Sequence, residues 1–182
     1  MTHPVLRSAR LALRPTDPDD AAALQDLFAD EETTRYWAHG PLADLDAGKA
    51  WIETRLKARA DGTLIDWIAF DDDALIGIAF LSALSLENLR GEVGYAVHRD
   101  RRGKGYGTEL IECVLTHAIS TLGLHRIEAD VDPRNTPSIR LLERQGFVTE
   151  GHLRDRWRAT GEVQDSALLG LLAPEWTPGM LT

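Results

Sequence analysis

With 182 residues, 43% of them hydrophobic and 27% charged, the chain is long enough to bury a core and is expected to form one domain over 1–182. Its one cysteine, Cys113, excludes an intrachain disulfide and suits the reducing cytoplasm; the lack of any run of about 18 apolar residues excludes a membrane-spanning helix. A formal charge of −9 speaks against general nucleic-acid binding; it suits a cationic partner such as an amine, and the plainer alternative is the acidity of many soluble proteins.

The opening MTHPVLRSARLALRP lacks the apolar stretch and cleavage site of a signal peptide. Within it, Leu11 and Leu13 alternate with Arg10, Ala12 and Arg14 in the period of a strand, which Pro15 and Pro18 end. A helix follows over Ala21–Ala29, capped by Asp19 or Asp20, with Leu24, Leu27 and Phe28 on one face. Leu45, Ile52 and Leu56 recur at helical spacing and predict a second helix over Asp44–Ala60. Two strands, Leu64–Phe70 and Ala74–Ala83, flank the acidic turn Asp71-Asp72-Asp73 as a hairpin. A third, Glu92–His98, places Val93, Tyr95 and Val97 on one face and Glu92, Gly94 and Ala96 on the other. The glycine-rich segment 103–107 opens a long helix whose apolar stripe runs from Leu110 to Leu122, and Gly123 stops it. A strand over Arg126–Val131, a short helix over Pro137–Gln145 and two strands, Phe147–Arg154 and Glu162–Leu172, complete an α/β mixed sheet with helices on its faces.

Chemistry concentrates in EVGYAVHRDRRGKGYGTELIECVL. There Arg99, Arg101, Arg102 and Lys104 stand against Asp100 alone, a basic island in an acidic chain. Gly103, Gly105 and Gly107 allow a tight loop with exposed backbone. The helix that starts there turns unpaired N–H groups and its positive dipole end outward. These features describe a pyrophosphate site; a glycine-rich turn with chance basic neighbours is the plainer alternative. No Lys-Ser/Thr follows the last glycine, as a P-loop requires, and Thr108 stands where a Rossmann loop needs its third glycine.

Arg102-Gly103-Lys104-Gly105-Tyr106-Gly107, set between a strand and a helix, resembles the R/Q-x-x-G-x-G/A signature of the GNAT N-acetyltransferase superfamily. RGKGYGTE, the downstream Asn135-x-x-Ser138, LLERQGF and EGHLRD, and the opening RLALRP are similar to its RimJ/RimL-type branch. The resemblance covers about Leu11 to Leu172. It implies a mostly antiparallel sheet splayed between two parallel strands, here Glu92–His98 and Arg126–Val131. It also implies transfer of an acetyl group from acetyl-CoA to a primary amine, without a metal. By the same resemblance the pantetheine arm pairs with free backbone near Ala96, Val97 and His98. The amides of Arg102, Gly103, Lys104, Gly105, Tyr106, Gly107 and Thr108 hold the diphosphate, and Asn135 bonds the pantetheine or thioester region. Arg134, Arg140 and Arg144 are either neighbours of the 3′-phosphate or a solvated helix face. Tyr36, Trp37 and His39 lie in the loop that contributes to the acceptor pocket in relatives. A homodimer is a family-level expectation.

Direct transfer needs a neutral amine, a stabilised oxyanion and relief of charge at the departing sulfur. A protein α-amine, with a pKa near 7.7–8.0, asks roughly 2.5 units less of a base than a lysine near 10.4. A protein N-terminus is therefore the leading acceptor and a small-molecule amine the alternative. Glu92 is the candidate base, by resemblance to relatives with a carboxylate near this position; a strand-edge glutamate in solvent or paired with arginine is the other reading. Many members place a tyrosine seven residues after the asparagine, but Leu142 stands there. Ser138 is either a hydrogen-bond donor to sulfur in its stead or only a helix cap in the turn NTPS. Cys113 reads as packing, it makes no metal site with His117, and Trp67, Trp157 and Trp176 read as core or interface residues. A non-catalytic acyl-CoA sensor would keep the loop and need neither Glu92 nor Ser138.

Overall fold

The computed structural model describes residues 3–159 and 161–179; the ends of the expected 1–182 domain, the start of the opening MTHPV segment included, and Thr160 lie outside the described residues. The chain runs β1 (Leu6–Arg7), β2 (Ala12–Pro15), α1 (Ala21–Leu27), α2 (Glu31–Thr34), α3 (Leu45–Ala60), β3 (Ile65–Asp71), β4 (Ala74–Ser85) and β5 (Arg90–Val97). It continues through α4 (Tyr106–Thr116), β6 (Arg126–Val131), α5 (Thr136–Arg144), β7 (Val148–Ala159) and β8 (Glu162–Leu172). Among the described residues the strands form one sheet in the order β1-β2-β3-β4-β5-β6-β8-β7, antiparallel except where β5 meets β6. Among the same residues no helix is long and apolar enough to cross a membrane.

Alternation along the strands loads both faces of this sheet. Ile65, Trp67 and Ala69 of β3 and Val93 of β5 join Leu110, Ile111, Val114 and Leu115 of α4 in one core. Ile68, Ile78 and Ala96 meet Leu24, Leu27 and Ile52 of α1 and α3 in the other. Each fully buried Leu or Ile contributes roughly 1.5–3 kcal/mol relative to exposure. Between the layers Asp66 is wholly buried, and it receives Arg55 (3.1 Å) and Arg59 (2.5 Å) from α3 and the Thr16 hydroxyl (2.6 Å). Losing Asp66 would leave the two largely buried guanidinium groups without their carboxylate.

Two helix starts illustrate what local pattern does and does not fix. The helix expected over Asp44–Ala60 is α3, with Asp44 as its cap through the Ala47 N–H, yet its buried residues are Gly48 and Ile52, while Leu45 is exposed. The expected cap of α1 is corrected: Asp17 caps a one-turn helix over Pro18–Asp20, and Asp20 binds Arg14 (2.6 Å) and the Asp17 N–H (2.7 Å). A bidentate arginine on the neighbouring strand outcompetes a capping role.

The parallel pair positions everything that follows. β5 and β6 are in register only at Arg90↔Arg126, Gly91↔Ile127 and Glu92↔Glu128, and then part. β5 keeps β4 as its partner as far as Val97, and β6 keeps β8 as far as Val131, so a V-shaped cleft opens between them. His98 gives its N–H to Ile76 on β4 at 2.8 Å. By the alternation of an antiparallel ladder, Ala96 also turns its backbone groups to β4, and Val93, Tyr95 and Val97 turn theirs to the cleft. The free backbone expected at Ala96 and His98 is therefore corrected to Tyr95 and the Val97 N–H, the Val97 carbonyl accepting from the Arg102 guanidinium at 3.3 Å.

Candidate active site

The loop after β5 reaches the start of α4 through two residues in left-handed conformation, Gly103 (φ +72°) and Gly105 (φ +81°). A side chain is strained at both positions, and a Cβ at Gly103 would meet nothing within 4 Å, so this stretch of backbone is open. Gly105 begins α4 with no side-chain cap, which leaves the amides of the first turn for another acceptor. Beside them runs a groove of ≈ 750 Å³ lined in part by Arg101, Arg102, Arg140, Arg144, Val97 and Thr108.

Not every basic residue of the loop points there. Lys104 Nζ donates to the Asp100 carbonyl at 3.0 Å, and the Tyr106 hydroxyl donates to Asp71 at 2.5 Å. The Arg102 guanidinium binds Glu32 (2.9 Å), the Thr33 hydroxyl (2.6 Å) and the Val97 carbonyl (3.3 Å), tying α2 to the loop. Positive charge free to meet a polyanion therefore comes from Arg101, Arg140 and Arg144, while Arg134 turns away to Asp132 at 2.7 Å.

A second cavity, ≈ 250 Å³, lies where β5 and β6 begin to part, and its charged lining is acidic: Glu92, Asp130, Asp132 and Asp165. Asp130 pairs with Arg156 (3.5 Å) and accepts from Trp157 Nε1 (3.3 Å); Asp132 pairs with Arg134, and Asp165 with His152 (2.8 Å). Glu92 has no ion pair among the described residues. Burial first, then the Asp130 and Glu128 carboxylates, raise its carboxyl above the ordinary glutamate value, with Arg156 opposing.

The two cavities share Tyr36, Trp37, Tyr95, Asn135 and Ser138 in their walls. Asn135 caps α5, its Oδ1 accepting the Ser138 N–H at 3.3 Å, so the cap that NTPS offered to serine belongs to the asparagine. The Ser138 hydroxyl is left to face the cleft, where it accepts from the Tyr95 hydroxyl at 3.1 Å. Burial raises the Tyr95 phenol above its ordinary value, against the Ser138 hydrogen bond and Arg144. His39, expected in the acceptor pocket, packs instead against Phe28, Trp37 and Trp51, with Nδ1 at 2.8 Å from the Gly40 carbonyl. Trp157, read as core or interface, is a pocket residue 42% exposed; Trp67 and Trp176 are buried. Cys113 packs against the core, and burial raises its thiol pKa.

Residues 10–148 match the family described as acetyltransferase (GNAT) domain. The chain belongs to the GNAT acetyltransferase family. This acetyltransferase is 34% identical over 173 residues to the uncharacterized N-acetyltransferase p20 of Bacillus licheniformis, covering 94% of this chain and 97% of that protein. It is 33% identical over 114 residues to the ribosomal protein uS5-alanine N-acetyltransferase of Escherichia coli (strain K12), covering 60% of this chain and 57% of that protein. Its fold is similar to that of spermidine N-acetyltransferase from Vibrio cholerae, solved in complex with CoA and spermine. The TM-score is 0.81 at 25% identity, over 92% of this chain and 98% of that one. The enzyme is an acetyl-CoA-dependent N-acetyltransferase of the GNAT type, as its family and these relatives establish.

The acetyltransferase's acidic pocket went largely unread in the sequence. Glu128, Asp130 and Asp132 alternate with Ala129 and Val131 along IEADVD, and that signal could have placed three carboxylates beside Glu92. Gln164, Asp165 and Trp157 carry no such signal, because the long β7–β8 pairing alone brings them to the cleft.

Proposed function

We propose that this enzyme transfers the acetyl group directly to the α-amine of a protein N-terminus, both substrates being bound at once. The observation that carries the proposal is the meeting of a basic groove and an acidic pocket at Tyr95, Asn135 and Ser138. Acetyl-CoA supplies an acyl group already activated as a thioester. The residues fit it. Tyr95 and Val97 present strand-edge backbone for the pantetheine amides, and the uncapped first turn of α4 presents N–H groups and a dipole for the diphosphate. Arg101, Arg140 and Arg144 would balance the remaining phosphate charge, and Asn135 Nδ2 would reach toward the thioester.

Glu92 then takes the ammonium proton, directly or through water. Its raised carboxyl pKa brings it nearer to the working pH, where a general base is most effective. Once that proton has been relayed to water, the neutral amine forms its N–C bond and gives its surplus proton to Glu92 as the C–S bond breaks; the electron pair leaves with sulfur as a thiolate, toward which Ser138 offers a hydrogen bond.

Charge favours a single ammonium over a polycation. Asp130 and Asp132 already have arginine partners and Asp165 is hydrogen-bonded to His152, so among the described residues Glu92 is the pocket carboxylate that remains to be matched. The ease of deprotonation acts in the same sense: a lysine costs roughly 3.5 kcal/mol more than an α-amine to neutralise. Thiol release in the presence of acetyl-CoA tests the acceptor, using a peptide with a free N-terminus, its N-blocked lysine-containing counterpart, spermidine and a simple monoamine. The free N-terminus should give the highest kcat/KM. Turnover confined to spermidine would overturn the acceptor class, and tight acetyl-CoA binding without turnover of any amine would mark an acyl-CoA sensor.

A further inference from the structure

The Tyr95 side chain has no part in the chemistry so far, yet it stands at the junction of both cavities, on the β5 edge just past the last β5–β6 pair. Its side chain lies on the α4 face of the sheet beside Val93 and Val97, and its hydroxyl reaches Ser138 on α5 at 3.1 Å. A phenol is a stronger acid than an alkanol, so Tyr95 is the donor of this pair and Ser138 Oγ the acceptor. Among the described residues the Ser138 hydroxyl has no protein acceptor for its own proton.

We propose that Tyr95 is a positioning residue for acetyl transfer: by donating to Ser138 Oγ it fixes the direction of the serine hydroxyl, whose proton then points into the cleft toward the departing sulfur. The inference rests on the acetyl-transfer reading and on Ser138 facing the thioester. A hydroxyl that accepts a hydrogen bond is polarised into a better donor, so the Tyr95–Ser138 chain answers the charge that develops on sulfur. No proton has to leave either hydroxyl. The ammonium proton passes by way of Glu92 to water, the N–C bond forms, and the surplus proton on that nitrogen passes to Glu92. The C–S bond breaks, and the sulfur leaves as a thiolate that keeps the electron pair in a hydrogen bond from Ser138. Burial keeps the Tyr95 phenol protonated through the physiological range, so the orientation does not depend on pH there. The arrangement also accounts for Leu142: with a phenol supplied from β5 across the cleft, none is needed on α5.

The experiment is a double-mutant cycle in steady-state kinetics with acetyl-CoA and an accepted amine, with CoA affinity and melting temperature measured for each variant. Ser138→Ala should lower kcat about 10²-fold, the scale of one lost donor to developing charge, and Tyr95→Phe about tenfold. The double variant should be no slower than Ser138→Ala alone, because a group acting through another has nothing left to act on. CoA affinity should change by less than about threefold throughout. A second arm uses the selenoester analogue of acetyl-CoA, whose more acidic selenol needs less help to leave. Both deficits should shrink together with this donor, which a merely structural role for Tyr95 would not produce.

Multiplying deficits in the double variant, a Tyr95→Phe enzyme with wild-type kcat, or a deficit indifferent to the selenoester would each overturn the proposal. Should Tyr95→Phe fold poorly, the Ser138→Ala deficit on the two donors still decides it, since a serine without leaving-group dependence has no proton to be aimed. A wild-type enzyme inactive on every amine would overturn the acetyl-transfer reading along with it, whereas wild-type turnover untouched by Tyr95→Phe would remove this inference alone.

Discussion

Replacing Glu92 by glutamine should move activity and stability in opposite directions, because the residue sits where like charges collect. The β5–β6 ladder ends with Glu92 opposite Glu128, and Asp130 follows on the same face. Like charges opposed on neighbouring strands destabilise by roughly 0.2–1 kcal/mol, and two neighbours around a half-buried carboxylate make about 0.5–1 kcal/mol a fair expectation after screening. In a domain of this size that corresponds to a melting temperature about 1–4 °C higher for the glutamine variant at neutral pH. The sign follows from the raised carboxyl pKa. Protonated Glu92 favours the fold, so its contribution is fully present below the unfolded value of 4.5 and is lost as pH rises through the folded one. The advantage of glutamine should therefore be present at pH 7 and fade toward pH 4. Turnover should fall about 10²-fold or more near neutrality, with unchanged CoA affinity, and the deficit should narrow at alkaline pH as more of the amine is neutral on its own. Thermal melts and pH–rate profiles on the same preparations measure both. A variant with the wild-type pH–rate profile would remove Glu92 as the base, and one that melts lower at pH 7 would refute the electrostatic account of its surroundings.

Gly105→Glu should leave a folded protein, because a Cβ there would meet only Arg10 Nη2, at 3.5 Å, and left-handed strain costs about 1–2 kcal/mol. It should nonetheless weaken acetyl-CoA binding by more than about tenfold, as a carboxylate takes up the anion position at the start of α4; equilibrium titration with undiminished affinity would contradict the diphosphate assignment. His117 is buried edge-on against Trp67 at 5.4 Å, and burial, followed by nearby His3, depresses its pKa below the ordinary 6.5. Its contribution to stability is whole above pH 6.5 and declines as pH falls through the depressed value, so wild type should lose melting temperature between pH 7 and 5 more steeply than His117→Gln. Parallel slopes would refute that origin.

Local pattern determined a good deal of this enzyme. The loop at Gly103 and Gly105, the strand over Arg126–Val131 and the helix α3 over Leu45–Ala60 all depend on neighbours in the chain, and the sequence shows them near their observed positions. The alternation of Glu92 and Val93 placed a carboxylate on one face of β5 and the core on the other, where they are found. What tertiary structure alone decided is which groups meet. Arg102 carries the family signature and lines the groove, yet its guanidinium binds Glu32 and Thr33, 70 and 69 residues away, so its charge is already partly matched within the protein. His39 lies in the expected loop yet packs among aromatic rings, because Phe28, just past the end of α1, and Trp51 on α3 close over it. Tyr95 and Ser138 are 43 residues apart and meet only because two strands separate, and the acidic pocket draws on β5, β6, β7 and β8 together. A hydrogen bond or ion pair between distant residues leaves no periodicity in the chain. Its geometry follows from packing around the cleft, and that packing is settled only when the whole sheet is assembled.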